Sequence, residues 1–349
     1  MSSPTRKIGG AKVNPIGFGA MGISVFYGAV GSDEERFKVL DAVYESGCNH
    51  WDTADLYGDS EELIGKWRVV FRRCPSVVSS CTCYRLKRTG KRSDIFLATK
   101  FAVTPNGIRG DAPYVKEAFE RSLKKLGVDY VDLTDIKVPI EETVGAMAEL
   151  VKEGKVKYLG LSECSPNSLR RAHAVHPIAA VQVEFSPLVL DIESSEYDLL
   201  KTARELGVTV VAYSPLARGI ITGQIKSTDE LEEDDFRRSI PKYSKENFPK
   251  ILDIVNQLTE IGKKHNATPG QVTLAWILAQ GDDFLVIPGT KKIKYVKENM
   301  GAANVKLSPE EVARIRKIAE DADKAIPDKR YMQFAMDMLN VETPLPQKS

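Results

Sequence analysis

The 349-residue chain has no surplus of either charge: 49 basic residues stand against 48 acidic ones, for a net charge of +1. Binding nucleic acid through its phosphates needs a basic excess, so nucleic acid is excluded as the main partner. No run reaches the ~18 consecutive apolar residues of a membrane span, and residues 1–12 hold no apolar stretch of the secretory-signal kind. Histidine is scarce, with His50, His173, His176 and His265 the only four. Of five cysteines, Cys74, Cys81 and Cys83 crowd together while Cys48 and Cys164 are isolated. An odd, clustered set is not a disulfide framework, and the cluster lacks a fourth ligand at zinc-site spacing. These absences read as a protein of the reducing cytoplasm, with no metal and no membrane partner. Its oligomeric state is not legible. Also missing is a Gly-x-Gly-x-x-Gly turn with a trailing acid, the Rossmann signature for a dinucleotide.

What the sequence does have is alternation. Strand-like apolar runs fall at residues 15–21, 50–55, 95–101, 130–136, 156–162, 180–186, 208–214 and 284–288. Several are continuous, as in strands covered on both faces. Amphipathic helical runs fall between them, at 33–46, 60–67, 112–126, 141–153, 165–175, 194–206, 247–265 with 269–279, and 291–302. Asp33, Ser60 and Ser165 are candidate N-caps. Gly47, Gly127, Gly154 and Gly207 stand where a helix ends in a left-handed residue. Eight strand–helix pairs in strict order predict an α/β fold, a parallel (β/α)8 TIM barrel. Residues 7–13 around Gly9-Gly10 read as an N-terminal hairpin under the barrel, and 308–322 as an extra C-terminal helix. One barrel domain is therefore expected over 1–341, with a polar, disordered tail over 342–349.

Two stretches break this rhythm. Between Glu62 and Asp94 there are nine basic residues and no acidic one. The segment 68–92 reads as a disordered surface insertion, with a basic anion-binding loop and translated intron sequence as the other readings. The second break is Asp132-Leu-Thr-Asp-Ile-Lys-Val-Pro139, where the fourth strand runs almost directly into its helix.

The candidate chemistry lies at the strand ends. Asp52-Thr-Ala-Asp-Leu-Tyr57-Gly58 closes the second strand and Ala98-Thr-Lys100-Phe101 the third. In a barrel the C-terminal strand ends share one mouth, so a carboxylate, a phenol and an ammonium can meet there. A phenol with a pKa near 10 is a poor acid at neutral pH. A neighbouring cation favours the phenolate, and bringing that pKa to ~7 takes roughly 4 kcal/mol. Asp52 can keep Lys100 charged and aimed at Tyr57, giving a general acid for a carbonyl oxygen. Each residue alone reads equally well as packing or a structural ion pair. Together they read as a site.

These segments, taken with Gly17-Phe-Gly-Ala-Met-Gly22, Gly160-Leu-Ser-Glu-Cys-Ser165, Val181-Gln-Val-Glu-Phe-Ser186, Ala212-Tyr-Ser-Pro-Leu216 and Val286-Ile-Pro-Gly-Thr290, resemble the aldo-keto reductase superfamily over nearly the full length. The likeness is to fungal and plant-type NADP-dependent members of the pyridoxal-reductase and auxin-induced-protein kind. The resemblance implies reversible NADPH-dependent reduction of an aldehyde or ketone, with hydride from the nicotinamide and a proton from Tyr57. It also implies a set of NADP(H) contacts. The ring would stack on Tyr213. Its carboxamide would be held by Ser162 and Gln182, beside Glu163, where many members carry Asn. The pyrophosphate would lie along Ser214, Pro215, Leu216 and Gly219. The 2′-phosphate would sit near Gly289, Thr290 and Lys291, with Lys292 and Lys294 adding charge, and Glu298 and Asn299 would grip the adenine. Asp52 counts on both the catalytic and the cofactor side. The partner implied is a small carbonyl compound. Phe26 and Tyr27 read as substrate-pocket walls or plain loop packing, and residues 218–248 as the cofactor-clamping loop.

One departure matters. The family usually continues its fourth strand as Asp-Leu-Tyr-Tyr-x-His-Arg, whereas Leu133 here is followed by Thr134-Asp-Ile-Lys-Val-Pro139. About half a dozen residues are gone by motif comparison, and the family's catalytic His with them. Two readings follow. One is an enzyme, whose sequence here either carries exon-boundary errors at this stretch and near Arg68 or is genuine, with weak or absent activity. The other is a non-catalytic NADP-binding regulatory module of the channel β-subunit kind. A Schiff-base aldolase built on Lys100 is a third reading, by barrel analogy alone.

Overall fold

The computed structural model describes residues 5–68, 91–104, 107–129, 131–134 and 140–345. Eight parallel strands follow one another around a single sheet in chain order: β1 (Phe18–Gly19), β2 (His50–Asp52), β3 (Phe96–Ala98), β4 (Val131–Thr134), β5 (Val156–Ser162), β6 (Ile178–Glu184), β7 (Thr209–Tyr213) and β8 (Phe284–Val286). A parallel bridge between Ile16 and Val286 joins the last strand to the first, and the Gly17 N–H donates to the Val286 carbonyl at 2.7 Å. The expected (β/α)8 barrel is the observed architecture. An antiparallel hairpin, Arg6–Ile8 with Ala11–Val13, underlies it.

The longer helices are α1 (Asp33–Glu45), α2 (Ser60–Arg68), α3 (Ala112–Leu126), α4 (Ile140–Lys152), α5 (Pro166–Val175), α6 (Leu199–Leu206), α7 (Phe248–Lys263), α8 (Pro269–Leu278), α9 (Ile293–Gly301) and α10 (Pro309–Ala325). Their ends follow local chemistry. Ser165 caps α5 by accepting from the Ser168 N–H, and Gly127 and Gly207 close α3 and α6 in left-handed backbone. At α1 the cap is Ser32 and not Asp33: Ser32 and Glu35 form a reciprocal capping box. The helix expected over 194–206 begins only at Leu199, behind a 3-10 turn at Asp191–Glu193. Of the expected insertion, residues 69–90 lie outside the described residues, while Arg68 ends α2 and Lys91–Asp94 form a 3-10 turn. Of the expected fourth strand, residues 130, 135 and 136 likewise lie outside them.

Strand alternation divides the core in two. Phe96, Ala98, Ala180, Val211 and Leu285 point inward and pack on Ile8 and Val13 of the hairpin. The intervening Trp51, Leu97, Val181, Val210 and Val286 point outward into the larger cluster under the helices. The same period of two puts Asp52, Ser162, Gln182 and Tyr213 in phase with the inward residues of their strands. At the mouth, β1 and β8 approach so closely that a Cβ on Gly289 would stand 2.5 Å from the Gly19 carbonyl oxygen, and one on Gly19 2.7 Å from that of Ile287. Only glycine fits at either position. No helix among the described residues is long and apolar enough to cross a membrane.

His50 lies at the opposite end, on the barrel floor. It is fully buried, edge-on to Phe96, and neither ring nitrogen has a hydrogen-bond partner. Burial, aided by the Lys100 charge and opposed by that of Asp52, pushes its pKa down to about 4. The folded chain thus refuses a proton that the unfolded chain takes near pH 6.5, and stability falls as pH drops from there toward 4. Asp55, pushed up to about 6 first by burial and then by Glu61, works the other way in the same window. The contribution of His50 is therefore read as a difference. Relative to His50→Leu, the wild type should lose about 3 kcal/mol between pH 7 and 4, measured by urea unfolding of both chains. A difference independent of pH would mean that His50 is not held neutral.

Candidate active site

Asp52 is the last residue of β2, and Lys100 lies two residues beyond β3, whose Ala98 is in register with Asp52. The Lys100 ammonium donates to Asp52 Oδ1 at 2.6 Å and to the Thr53 carbonyl at 2.8 Å. Its Nζ stands over the Tyr57 ring, 5.1 Å from the centroid. Tyr57 belongs to the loop between β2 and α2. That loop is fastened by a 2.8 Å contact between the buried hydroxyls of Thr53 and Ser60, where α2 begins. The three residues expected to meet therefore do so.

Across the barrel, Gln182 on β6 donates its amide to Asp52 Oδ2 at 2.7 Å. Both carboxylate oxygens of Asp52 are thus engaged, one toward the Lys100–Tyr57 pair and one toward β6. Ser162 on β5 is in register with Gln182. The Ser162 hydroxyl and the Gln182 amide oxygen make no hydrogen bond to any described residue. A hydroxyl donor and an amide acceptor side by side suit a carboxamide, which offers a carbonyl acceptor and N–H donors.

Tyr213 ends β7, and the backbone beyond it is strained: Ser214, Ala217 and Arg218 are left-handed at φ 47°, 47° and 55°, with Gly219 at 88°. Three non-glycine residues in that region mark a loop held in shape for a purpose. Pro215 and Leu216 lie within it and are buried. At the β8 end, Gly289 and Thr290 precede α9. Lys291 does not present a free ammonium there. Its Nζ donates to the carbonyls of Tyr27, Gly28 (3.2 Å) and Ala29 (2.9 Å), tying the loop after β1 to the start of α9. Lys292 is the N-cap residue of α9, and Lys294 lies in its first turn. Glu298 accepts from the Thr268 hydroxyl at 2.8 Å, and Asn299 is buried. Phe26 is exposed, with φ 73°, and its ring lies 6.1 Å from that of Phe236. Tyr27 lies under Arg237, whose guanidinium carbon is 5.4 Å from its ring centroid.

Sequence reasoning missed a buried charge cluster at the ends of β5, β6 and β7. Arg218 pairs with Glu184 through two bonds of 2.7 and 2.9 Å. Arg330, from the segment after α10, bonds Glu163 at 2.6 and 3.0 Å, Glu184 at 3.3 Å, the Tyr213 hydroxyl at 3.0 Å and Asp191 at 2.9 Å. Burial would push the Glu163 carboxyl up, but the charge and hydrogen bonds of Arg330 outweigh it and hold it below the usual carboxylate range. Burial, then Glu163, raises the Tyr213 hydroxyl well above the ordinary phenol. The signal was available: Glu184 is an acid at an inward position of an apolar strand, and a buried charge requires a partner. The stretch from Glu342, expected to be a disordered tail, also has bonds. Glu342 accepts from Ser165 and Asn167, and Arg171 donates to the Thr343 and Pro344 carbonyls. Residues 346–349 lie outside the described residues.

The four histidines are all accounted for. His50 is on the floor, His173 is in α5, His176 is the C-cap of α5, and His265 bonds Glu311 at 2.8 Å. None stands at the end of β4.

Residues 15–320 match the family described as the Aldo/keto reductase family. The aldo-keto reductase str7 of Strobilurus tenacellus is 63% identical over 358 aligned positions, covering 99% of this chain and 100% of the relative. Those positions exceed the 349 residues of this chain by nine, so the relative carries residues that this chain lacks. The aldo-keto reductase yakc [NADP(+)] of Schizosaccharomyces pombe is 44% identical over 99% of both chains. Among solved structures, the glycerol dehydrogenase of Gluconobacter oxydans superposes with a TM-score of 0.78 at 25% identity, covering 94% of this chain and 98% of its own. A thermostable aldo-keto reductase solved with the inhibitor epalrestat gives 0.69 at 30% identity, covering 90% of this chain and 99% of its own.

Proposed function

The chain belongs to the aldo/keto reductase family, whose chemistry is NADPH-dependent carbonyl reduction, and from that premise we propose that it reduces a small aldehyde or ketone to the alcohol with Tyr57 as proton donor. NADPH, when bound, supplies the hydride that reaches the carbonyl carbon. The observation that carries the reading is the Lys100 ammonium, held 2.6 Å from Asp52 and 5.1 Å from the Tyr57 ring centroid.

Each residue then has a task. Asp52 keeps Lys100 charged and fixes its direction. Lys100 favours negative charge on the phenol oxygen as the proton leaves, because a cation at short range stabilises the phenolate. Tyr57 donates that proton to the carbonyl oxygen. Ser162 and Gln182 hold the carboxamide, the first by donating and the second by accepting. The bonds from Gln182 to Asp52 and from Lys100 to Asp52 link this grip to the proton donor through two side chains. Tyr213 offers its ring to the nicotinamide, and the strained turn at Ser214–Gly219 takes the pyrophosphate. With Lys291 bound to the loop after β1, the charge for the 2′-phosphate falls to Lys292 and Lys294 at the N-terminus of α9, where the helix dipole also favours an anion.

One observation favours a second reading. No histidine reaches the mouth, so the carbonyl lacks the donor that the family usually supplies. A chain of this kind can bind NADPH and turn over slowly or not at all, acting as a redox-sensing module. Two measurements separate the readings: quenching of protein fluorescence by NADPH, and loss of NADPH absorbance against a panel of small aldehydes and ketones. Binding with turnover supports the reductase, and binding without turnover supports the module. No binding at all would overturn both.

A further inference from the structure

Arg330 reaches the barrel mouth from outside the barrel. The segment that carries it leaves α10 and is fastened along its length. Lys242 donates to the Ile326 carbonyl at 3.0 Å, Asn247 to Asp328 at 2.8 Å, and the Asn340 N–H to the Glu163 carbonyl at 2.8 Å. From this strap one guanidinium touches three adjacent strand ends: Glu163 directly after β5, Glu184 on β6, and the hydroxyl of Tyr213 on β7. These are the strands that carry Ser162, Gln182 and the ring of Tyr213. Tyr331, the next residue, places its hydroxyl 3.1 Å from that of Tyr213 and its ring over Arg218 at 4.7 Å. The side chains of Arg330 and Glu163 are only 2% and 6% exposed, so neither charge has water as an alternative partner.

We propose that Arg330 is a positioning residue for the nicotinamide half of the cofactor site. It locks the Tyr213 ring and the Ser162–Glu163 turn at one spacing, and it cancels a carboxylate charge that would otherwise face the dinucleotide. The inference rests on the assignment of Ser162, Gln182 and Tyr213 to the cofactor. It makes the C-terminal strap, and not the barrel alone, part of that site. Without Arg330 the Glu163 carboxylate remains buried beside the site with Asp191 and Glu184 near it. The repulsion falls on the nicotinamide end of the cofactor and leaves the adenosine end, at α9, untouched.

That asymmetry supplies the test. NADPH and adenosine 2′,5′-bisphosphate, which lacks the nicotinamide half, are titrated by calorimetry into the full-length wild type, Arg330→Gln, Arg330→Lys and Glu163→Gln/Arg330→Gln. Arg330→Gln is expected to weaken NADPH binding tenfold or more with the bisphosphate unchanged. The double variant should recover most of the loss, because the stranded carboxylate is gone. Should Arg330→Gln fail to fold, Arg330→Lys carries the same comparison, since it keeps the charge but cannot span three strand ends. Equal weakening of both ligands, or no weakening of either, overturns the proposal. If the wild type binds the bisphosphate but gains nothing from the nicotinamide half, the cofactor assignment itself has failed.

Discussion

Tyr57→Phe should lower the rate of NADPH-dependent carbonyl reduction by about 10²–10⁴-fold and leave NADPH binding where it was. The substitution is narrow. Phenylalanine keeps the ring over which the Lys100 ammonium sits at 5.1 Å, and it keeps the loop closed by the Thr53–Ser60 contact. It removes only the hydroxyl that carries the proton. Hydride delivered to a carbonyl with no proton donor leaves an unprotonated alkoxide, and that is the cost expected in kcat. Asp52 and Gln182 are untouched, so the cofactor dissociation constant should not move. The measurement is kcat and KM for a small aldehyde beside the quenching constant for NADPH, in this chain or in one with its fourth strand end restored. Equal kcat in the two proteins would remove Tyr57 from the chemistry. A parallel loss of NADPH binding would make its role structural.

How far the site could be read from sequence depended on how local each signal was. Asp52, Tyr57 and Lys100 lie in two short runs at the ends of successive strands, and strand period with barrel closure is enough to bring them together. The inward phase of Ser162, Gln182 and Tyr213 follows from the same period. Capping is local as well: Ser32 with Glu35 three residues later is a capping box written in the sequence, and it puts the cap one residue before the expected Asp33. Arg330 is different. It meets Glu163 across 167 residues, and nothing in the local pattern around Asp328–Tyr331 indicates where it goes. What could have been inferred is the need. Glu184 is an acid inside an apolar strand, and it demands a cation from somewhere. Lys291 shows the converse. Its position beside α9 suggests a phosphate, and no local pattern announces the bonds its ammonium makes to the carbonyls from Tyr27 to Ala29. A residue type at the right place fixes what it can bind, and the surrounding fold decides what it does bind.

Inserting the strand end usual in the family after Leu133, in the pattern Asp-Leu-Tyr-Tyr-x-His-Arg, should raise kcat for carbonyl reduction by about 10²–10³-fold. The reasoning is one of missing donors. A carbonyl oxygen that gathers negative charge as hydride arrives needs more than one hydrogen bond, and Tyr57 supplies one. None of the four histidines can supply the second: they lie on the barrel floor, in or at the end of α5, and against Glu311. Nor is any other imidazole present in the chain. Only five residues separate Thr134, the end of β4, from Ile140, the start of α4. The control is the same graft with alanine in place of its histidine. It restores the length and the loop without the donor, so a gain that appears in both grafts belongs to geometry alone. A gain confined to the histidine graft assigns the deficit to the lost donor. Equal, low rates in both grafts would mean that this site is not held back by a missing imidazole, and the binding-module reading would take its place.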